Sequence, residues 1–213
     1  MMKLYGYWRS SASFRVRLAL HIKQLDFEYH PVHLVKDGGE QHSAAYQRLN
    51  PSSLVPTFVD DEVTLNQSLA IIEYLDERYA QRPLLPAAAL DRAKVRALAY
   101  DFACELQPVT NLRVLKYLTG ELNCNDEQRL QWIHHWIHKS FTAFEQRLTE
   151  TAGDYCYGDS VTLADICLLP QVYNAHRFDV ALDNYPTLTA VNDRLQQLEA
   201  VQQARPENQP DAQ

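Results

Sequence analysis

The first 34 residues combine a strand pattern with a helical pattern of hydrophobic positions. Residues 3–8 predict a short strand, which a polar break at residues 9–11 follows. Beyond the break, four apolar side chains recur at helical spacing: Phe14, Leu18, Ile22 and Leu25. Residues 27–34 are rich in aromatic and β-branched side chains and predict a second strand. Because a helix that joins two such strands is normally a right-handed crossover, we expect the strands to be parallel.

The residues that follow add the remaining elements of a first domain. We expect a short helix at residues 43–48, a third strand that begins at Val55, a fourth strand at residues 62–65, and a helix capped by residues 66–68. The order βαβ, short helix, ββα is typical of a thioredoxin-like α/β domain. Pro56 belongs at the start of a strand because it lacks the N–H that a sheet ladder uses. The sequence leaves the isomer of the Val55–Pro56 bond open.

The second part of the chain is predicted to be all helical. Residues 83–87 carry two prolines and separate the first part from a long stretch in which helical periodicity dominates. We therefore expect two domains, a thioredoxin-like domain at residues 1–82 and an all-α domain at residues 88–213. Residues 205–213 are polar and contain two prolines, so we expect this tail to be mobile.

Composition and charge narrow the possible functions. Of the 213 residues, 46% are hydrophobic and 22% are charged, which argues against a disordered chain. The net charge of −7 argues against binding to nucleic acid. No apolar run approaches the roughly 18 residues that span a bilayer, and no signal peptide is evident, so we expect a cytoplasmic protein with reduced cysteines and no membrane partner. Five cations precede the first acidic residue and favour a small anionic ligand there: Lys3, Arg9, Arg15, Arg17 and Lys23.

Ser10 and Ser11 stand where a strand leads into a helix, and there the helix dipole and the first-turn N–H groups favour an anion. A thiolate suits such a position because thiol pKa values fall at helix N-termini. No cysteine lies nearby, so the thiol would come from a ligand. Gln67 and Ser68 begin a second helix that could bind a carboxylate. The alternative for these residues is simple helix capping. Together with a backbone that could pair at Val55, they suggest glutathione as a peptide-like ligand.

Two further patterns lie in the helical part. Thr162 and Asp165 form a capping box and predict a helix start. His134 and His138 have the i,i+4 spacing of metal ligands. The residues Ile133, Trp136, Ile137, Phe144 and Leu148 define the buried stripe of that helix. With His135 and His138 on the opposite face and no acidic ligand near, we expect surface histidines and no metal site.

Several motifs, taken together, resemble the zeta-class glutathione transferases, the family that includes maleylacetoacetate and maleylpyruvate isomerases. The resemblance spans nearly the whole chain. It rests on residues 9–20 (RSSASFRVRLAL), 50–51 with 54–56, 67–75 (QSLAIIEYL), 107–108 with Asn111, 158–159 with 162–165, 170–172, 177–178 and 185–186. It implies the glutathione transferase fold, a homodimer, and glutathione as cofactor.

The resemblance also implies roles for individual residues. By this resemblance, Ser10 and Ser11 are the expected catalytic residues, beside the glutathione thiol. The residues implied to bind glutathione are Gln41, Val55, Pro56, Gln67, Ser68, Gln107 and Asn111. Arg9 and Arg177 are the candidates for the carboxylates of a dianionic substrate, by motif and by charge. One position departs from the family pattern: Ala12 stands where the family usually has the cysteine of a Ser-Ser-Cys signature.

The reaction implied is cis–trans isomerisation of a maleyl double bond. The glutathione thiolate would add to the alkene, the resulting single bond would rotate, and the thiol would then leave. Two alternatives stay open at this point: a glutathione transferase or dehalogenase that acts on small α-haloacids, and a non-catalytic regulator of the same fold. The sequence does not choose between maleylacetoacetate and maleylpyruvate.

Overall fold

The computed structural model describes all residues 1–213 and contains two compact units. The first comprises Met1–Leu84 together with Gln197–Gln213, and the second comprises Leu85–Gln196. No helix in either unit is both long enough and apolar enough to cross a membrane.

The first unit is built around a four-stranded sheet in the order β2-β1-β3-β4. Its elements are β1 (Lys3–Gly6), α1 (Ser11–Ile22), β2 (Glu28–Pro31), two short 3-10 turns (Lys36–Gly38 and Glu40–His42), α2 (Ala44–Leu49), β3 (Thr57–Val59), β4 (Thr64–Asn66) and α3 (Ser68–Arg78). Strands β1 and β2 are parallel, and the other two pairings are antiparallel. The predicted thioredoxin-like order and the parallel pair are thus confirmed. The strands are shorter than predicted, and β3 begins at Thr57, one residue after Pro56.

Helix α1 is buried on every side, which its apolar spacing alone does not predict. Residues 13–20 are all buried, including Arg15 and Arg17. Burial of a guanidinium is costly and needs hydrogen-bond acceptors to offset it. Arg15 donates to the Ser68 hydroxyl, and Arg17 donates to backbone carbonyls. The two arginines therefore belong to the interior of the unit.

The second unit is all helical, as predicted. Its elements are α4 (Ala89–Tyr100), a π-helical segment (Asp101–Leu106), α5 (Gln107–Val109), α6 (Leu112–Gly120), α7 (Asp126–Thr151), α8 (Leu163–Arg177) and α9 (Pro186–Leu195). Helix α8 forms the centre of this unit because every residue from Leu163 to Val172 is buried. The rings of Phe102, Phe141 and Phe144 pack together beside it.

The predicted helix start at Thr162 is confirmed. The carboxylate of Asp165 accepts hydrogen bonds of 2.8 Å from the backbone N–H of Thr162, the Thr162 hydroxyl and the backbone N–H of Cys156. Asp165 is fully buried, and burial raises the pKa of its carboxyl. The hydrogen bonds oppose that rise and anchor the preceding loop to the first turn of α8.

The prediction of a mobile tail is wrong. Residues 197–213 contain α10 (Glu199–Ala204) and a 3-10 turn (Pro206–Asn208), and they pack with the first unit. Pro206 and Gln209 are buried. The side chain of Gln209 donates to the carbonyls of Gln203 and Arg205. The tail is ordered because its few apolar and polar groups have specific partners.

The histidines of α7 also differ from the prediction. A ring nitrogen of His134 lies 2.7 Å from the carbonyl oxygen of Phe178, and one of His138 lies 2.8 Å from the hydroxyl of Tyr185. Both are partly buried and hydrogen-bonded rather than free on the surface. Trp136 is only partly buried, and Phe141 completes the buried stripe instead. The structure contains no group of three or more side chains arranged to hold a metal ion.

Candidate active site

The sheet register brings four loops to one end of the sheet. Gly6 at the end of β1 pairs with Pro31 at the end of β2, and Tyr5 pairs with Thr57 at the start of β3. Thr57 in turn pairs with Asn66 at the end of β4. Three segments each adjoin one of these strand ends: those that carry Ser10 and Ser11, Val55 and Pro56, and Gln67 and Ser68. The turn that carries Gln41 returns to the end of β2, because the N–H of Glu40 donates to the carbonyl of His33 at 2.8 Å. The register therefore groups seven of the predicted site residues at one end of the sheet.

Ser10 is the N-cap of α1. Its side-chain oxygen accepts a hydrogen bond of 3.2 Å from the backbone N–H of Ser13, in extended backbone geometry with φ −70° and ψ 120°. This contact uses the hydroxyl as an acceptor, so its O–H remains able to donate to an anion. Ser11 is the first residue of α1, and Ala12 follows it; all three residues are partly exposed. Capping and ligand binding by Ser10 are therefore compatible.

Ser68 opens α3 beside a buried positive charge. Its hydroxyl accepts a hydrogen bond of 3.1 Å from Nε of Arg15, and Arg15 is only 3% exposed. The contact links the first turn of α3 to the second turn of α1. It adds a full positive charge to the positive end of the α3 dipole, so this helix start favours an anion more strongly than a helix terminus alone.

Gln67 precedes α3 in a conformation that L-residues seldom adopt, with φ 70° and ψ 109°. Its side chain is exposed and does not cap the helix. Strained backbone of this kind costs on the order of 1–3 kcal/mol and occurs often at binding sites. The first-turn N–H groups of α3 are thus left without a side-chain cap from Gln67.

Val55 and Pro56 precede β3, and the peptide bond between them is cis. The β3 ladder begins at Thr57, so the backbone polar groups of Val55 lie outside the sheet pairing. The loop before them is fixed by the carbonyl of Leu54, which accepts hydrogen bonds from the Tyr46 hydroxyl at 2.7 Å and the Asn50 amide at 2.8 Å. Val55 is therefore a partly exposed residue at the end of the sheet whose backbone polar groups no strand uses.

Gln41 is buried next to Gly39. A Cβ on Gly39 would lie 2.5 Å from Nε2 of Gln41, and Gly39 has a φ of +107°, so only glycine fits there. Nε2 of Gln41 lies 3.1 Å from a ring nitrogen of His42, whereas Oε1 is buried without a hydrogen-bond partner. A buried, unsatisfied acceptor is costly, and a ligand N–H would satisfy it.

The remaining predicted residues divide between the two units. Arg9 lies in the first, with its guanidinium carbon 4.9 Å from the centre of the Trp8 ring. Gln107, Asn111 and Arg177 lie in the second. Gln107 follows the π-helical segment, and the side chain of Asn111 caps α6 by accepting from the N–H of Arg113. Arg177 ends α8 and is exposed, with its guanidinium carbon 4.8 Å from the Phe178 ring centre.

Sequence reasoning missed the role of Arg15 behind Ser68. The charges in the segment FRVRLAL predict a nearby anion, but they do not show that Arg15 is buried. The sequence does contain a signal for this burial, because Arg15 and Arg17 are the only polar residues in the run of residues 14–20, so neither lies on a polar face of the helix.

Comparison with known proteins identifies the family. The model of the glutathione S-transferase N-terminal domain matches residues 4–83, and that of the C-terminal domain matches residues 113–204. A "probable maleylacetoacetate isomerase" of Vibrio cholerae is 55% identical over 98% of this chain and 97% of its own. A holo structure of a bacterial zeta-class maleyl pyruvate isomerase is 42% identical, covers 99% of this chain and 100% of its own, and has a TM-score of 0.95.

A third relative is the maleylacetoacetate isomerase of Anaeromyxobacter dehalogenans. With glutathione bound in its active site it has a TM-score of 0.89 and 41% identity, and it covers 100% of this chain and 98% of its own. Another structure of that enzyme holds dicarboxyethyl glutathione and citrate in the active site, with 40% identity and a TM-score of 0.88 over the same shares of the two chains. The chain thus belongs to the zeta-class glutathione transferases, the family of the maleylacetoacetate and maleylpyruvate isomerases.

Proposed function

We propose that this protein is a glutathione-dependent isomerase that converts a maleyl substrate to its fumaryl isomer. The substrate is maleylacetoacetate, an intermediate of aromatic amino-acid catabolism, or maleylpyruvate. The observation that carries the proposal is the pair of helix starts at one sheet end. One start offers the Ser10 hydroxyl as a donor, and the other is backed by the buried charge of Arg15. A thiol and a carboxylate of one peptide ligand suit these two positions.

Three features of the first unit support glutathione as that ligand. The start of α3 beside Gln67 and Ser68 suits a carboxylate. The backbone of Val55, just outside the ladder and next to Pro56, suits the backbone of a peptide as an added strand. The unsatisfied Oε1 of Gln41 suits a ligand N–H. When bound, glutathione supplies the thiolate nucleophile for addition to the double bond.

Ser10 and Ser11 act on the acidity of the thiol in this proposal. A hydroxyl that donates to a thiolate stabilises the charged form, and the N-terminus of α1 adds its dipole. Both effects lower the thiol pKa and raise the thiolate fraction at neutral pH. No protein thiol is needed, because the residue at position 12 is alanine and the nucleophile comes from the ligand.

Two arginines hold the substrate in this proposal. Arg9 adjoins Ser10 in the chain, and Arg177 ends α8, so each offers a guanidinium to one carboxylate of a dianion. The proposal extends to Gln107 and Asn111 as further contacts to glutathione. The guanidinium groups of Arg9 and Arg177 also stabilise negative charge that develops on the carbonyl side of the double bond. They suit an acidic substrate better than an apolar electrophile.

We also propose that the protein is a homodimer and that it is cytoplasmic. The division into domains at residues 1–82 and 88–213 remains a prediction. The four cysteines are free thiols, as a reducing compartment would keep them. Light scattering at several protein concentrations checks the dimer, and fractionation of the source cells checks the location.

The decisive experiment measures turnover of maleylacetoacetate and maleylpyruvate side by side, with and without glutathione. We expect glutathione-dependent formation of the fumaryl isomer from at least one substrate. S-Methyl glutathione, which binds without a free thiol, is the matched control and should support no turnover. Dehalogenation of a small α-haloacid without isomerisation would favour the transferase alternative. Glutathione binding without either activity would favour the regulator.

A further inference from the structure

The turn that carries Ser10 is fixed by groups that lie outside it. The backbone N–H of Trp8 donates to Oδ2 of Asp211 at 3.0 Å, and the carbonyl of Trp8 accepts from Nη2 of Arg17 at 2.8 Å. The carbonyl of Tyr7 accepts from the N–H of Ser10 at 3.0 Å. The backbone N–H and the carbonyl of Trp8, two residues before Ser10, are thus both hydrogen-bonded to side chains from outside the turn.

Arg17 connects this turn to the C-terminal segment. The side chain is completely buried, and its Nε donates to the carbonyl of Ala204 at 3.1 Å. Its guanidinium carbon also lies 5.4 Å from the Phe14 ring centre and 5.8 Å from that of Tyr29. One planar, multiply donating cation therefore joins the turn to the end of α10, a geometry that lysine cannot reproduce.

Asp211 makes the second connection. Its carboxylate reaches across 203 positions in the sequence to the N–H of Trp8. Burial raises the pKa of the Tyr29 hydroxyl, and the nearby negative charge of Asp211 adds to that rise, while the positive charge of Arg17 opposes it. Tyr29 also packs against Gly6, where a Cβ would lie 3.1 Å from the Tyr29 ring. Asp211 thus sits in a cluster with Tyr29 and Arg17 directly behind the turn.

We propose that Gln197–Gln213 acts as a brace for the β1–α1 turn and that Asp211 and Arg17 are positioning residues for the thiol-activating Ser10. This inference rests on the proposed function, since it assigns the brace to activation of the glutathione thiol. The brace holds the Trp8 peptide, which adjoins Arg9 and lies two residues from the cap of α1. A catalytic hydroxyl must be held within about 0.5 Å of its productive position, so a loosened turn weakens its hydrogen bond to a thiolate.

The test compares Asp211→Ala with Asp211→Asn and with Gln213→Ala. Asparagine keeps a side-chain oxygen for the N–H of Trp8, and Gln213 is an exposed residue of the same segment. In Asp211→Ala we expect exchange of the Trp8 amide, followed by NMR, to accelerate by about tenfold, because the amide loses a charged acceptor. The pKa of the bound glutathione thiol, from its ultraviolet absorption, should rise, and kcat should fall more than affinity for glutathione. Asp211→Asn should largely restore these values, and Gln213→Ala should match the unaltered protein.

The possible results separate the brace from a general contribution to folding. Faster Trp8 exchange in Asp211→Ala with an unchanged thiol pKa would overturn the proposal, since the tail would then only stabilise the fold. Unchanged exchange would overturn it as well. Failure of the unaltered protein to bind glutathione would instead contradict the proposed function. The exchange of Trp8 needs no ligand, so it still shows whether Asp211 holds the turn. Arg17→Lys provides a second variant with the same expected direction.

Discussion

Replacement of Ser10 by alanine separates the two roles that the structure allows for its hydroxyl. As the N-cap of α1, the hydroxyl accepts from the N–H of Ser13 at 3.2 Å. Loss of such a cap costs about 1 kcal/mol, which lowers the melting temperature by about 2–4 °C in a chain of this length. As a donor to the thiolate, the same hydroxyl contributes a charge-assisted hydrogen bond of about 1.5–3 kcal/mol.

The role of the Ser10 hydroxyl as a donor predicts both the direction and the size of the change in the thiol pKa. Removing a donor that favours the thiolate raises the thiol pKa, by about 1–2 at 1.36 kcal/mol per pKa unit. If the thiol of the unaltered complex titrates near neutrality, the thiolate fraction at pH 7 falls about five- to fiftyfold, and turnover falls with it. At pH 9 the thiol ionises with less help, so we expect the difference in turnover to narrow.

Ultraviolet titration of the glutathione thiolate on the protein measures the effect directly. Ser43→Ala is the matched control, because Ser43 caps α2 with the same 3.2 Å contact to a backbone N–H. We expect it to lower the melting temperature without changing the thiol pKa. An unchanged thiol pKa in both Ser10→Ala and Ser11→Ala would refute the serine assignment and leave the dipole of α1 as the activator.

Three more predictions concern other parts of the chain. Arg177→Ala and Arg9→Ala should each lower kcat/KM for the maleyl substrate about tenfold or more, with little change in the calorimetric affinity for glutathione; equal losses in both would place the arginines in the glutathione site or in the fold. Ala12→Cys should change turnover by less than about threefold, and mass spectrometry without reductant should detect a mixed disulfide with glutathione. If the unaltered protein is inactive and Ala12→Cys is active, a protein thiol is required. Asp165→Ala should lower the free energy of unfolding in urea by about 3 kcal/mol or more, because three donors lose a buried acceptor; a loss below about 1 kcal/mol would contradict this account.

The sequence predicted the elements of the first unit more reliably than their contacts. The β1–α1 turn was predictable because strand residues, a polar break and helical spacing follow one another within residues 3–25. The grouping of Val55 and Gln67 beside Ser10 depends on the strand register, which no local pattern encodes. The positive φ of Gln67 was likewise not predictable, because glycine is the usual residue in that conformation.

The errors in the prediction share a physical origin. A helical wheel places His138 on the face opposite the buried stripe, but it cannot show that Tyr185 approaches that face. The polar residues 205–213 resemble a mobile tail because their order depends on partners such as Trp8, far away in the sequence. The periodicity of hydrophobic residues indicates which face of a helix or strand is buried, but it carries no information about single polar contacts between distant segments.

The discontinuity of the first unit has a consequence for how the protein is made. Residues 1–84 leave the ribosome early. The carbonyl of Ala204, which accepts from Arg17, and the carboxylate of Asp211, which accepts from Trp8, are synthesised only near the end of the chain. The second unit, Leu85–Gln196, is continuous and has all its residues available sooner. Domains commonly complete their folding in the order of synthesis. In this chain we expect the reverse order, because the first unit is complete only when residues 197–213 have been translated.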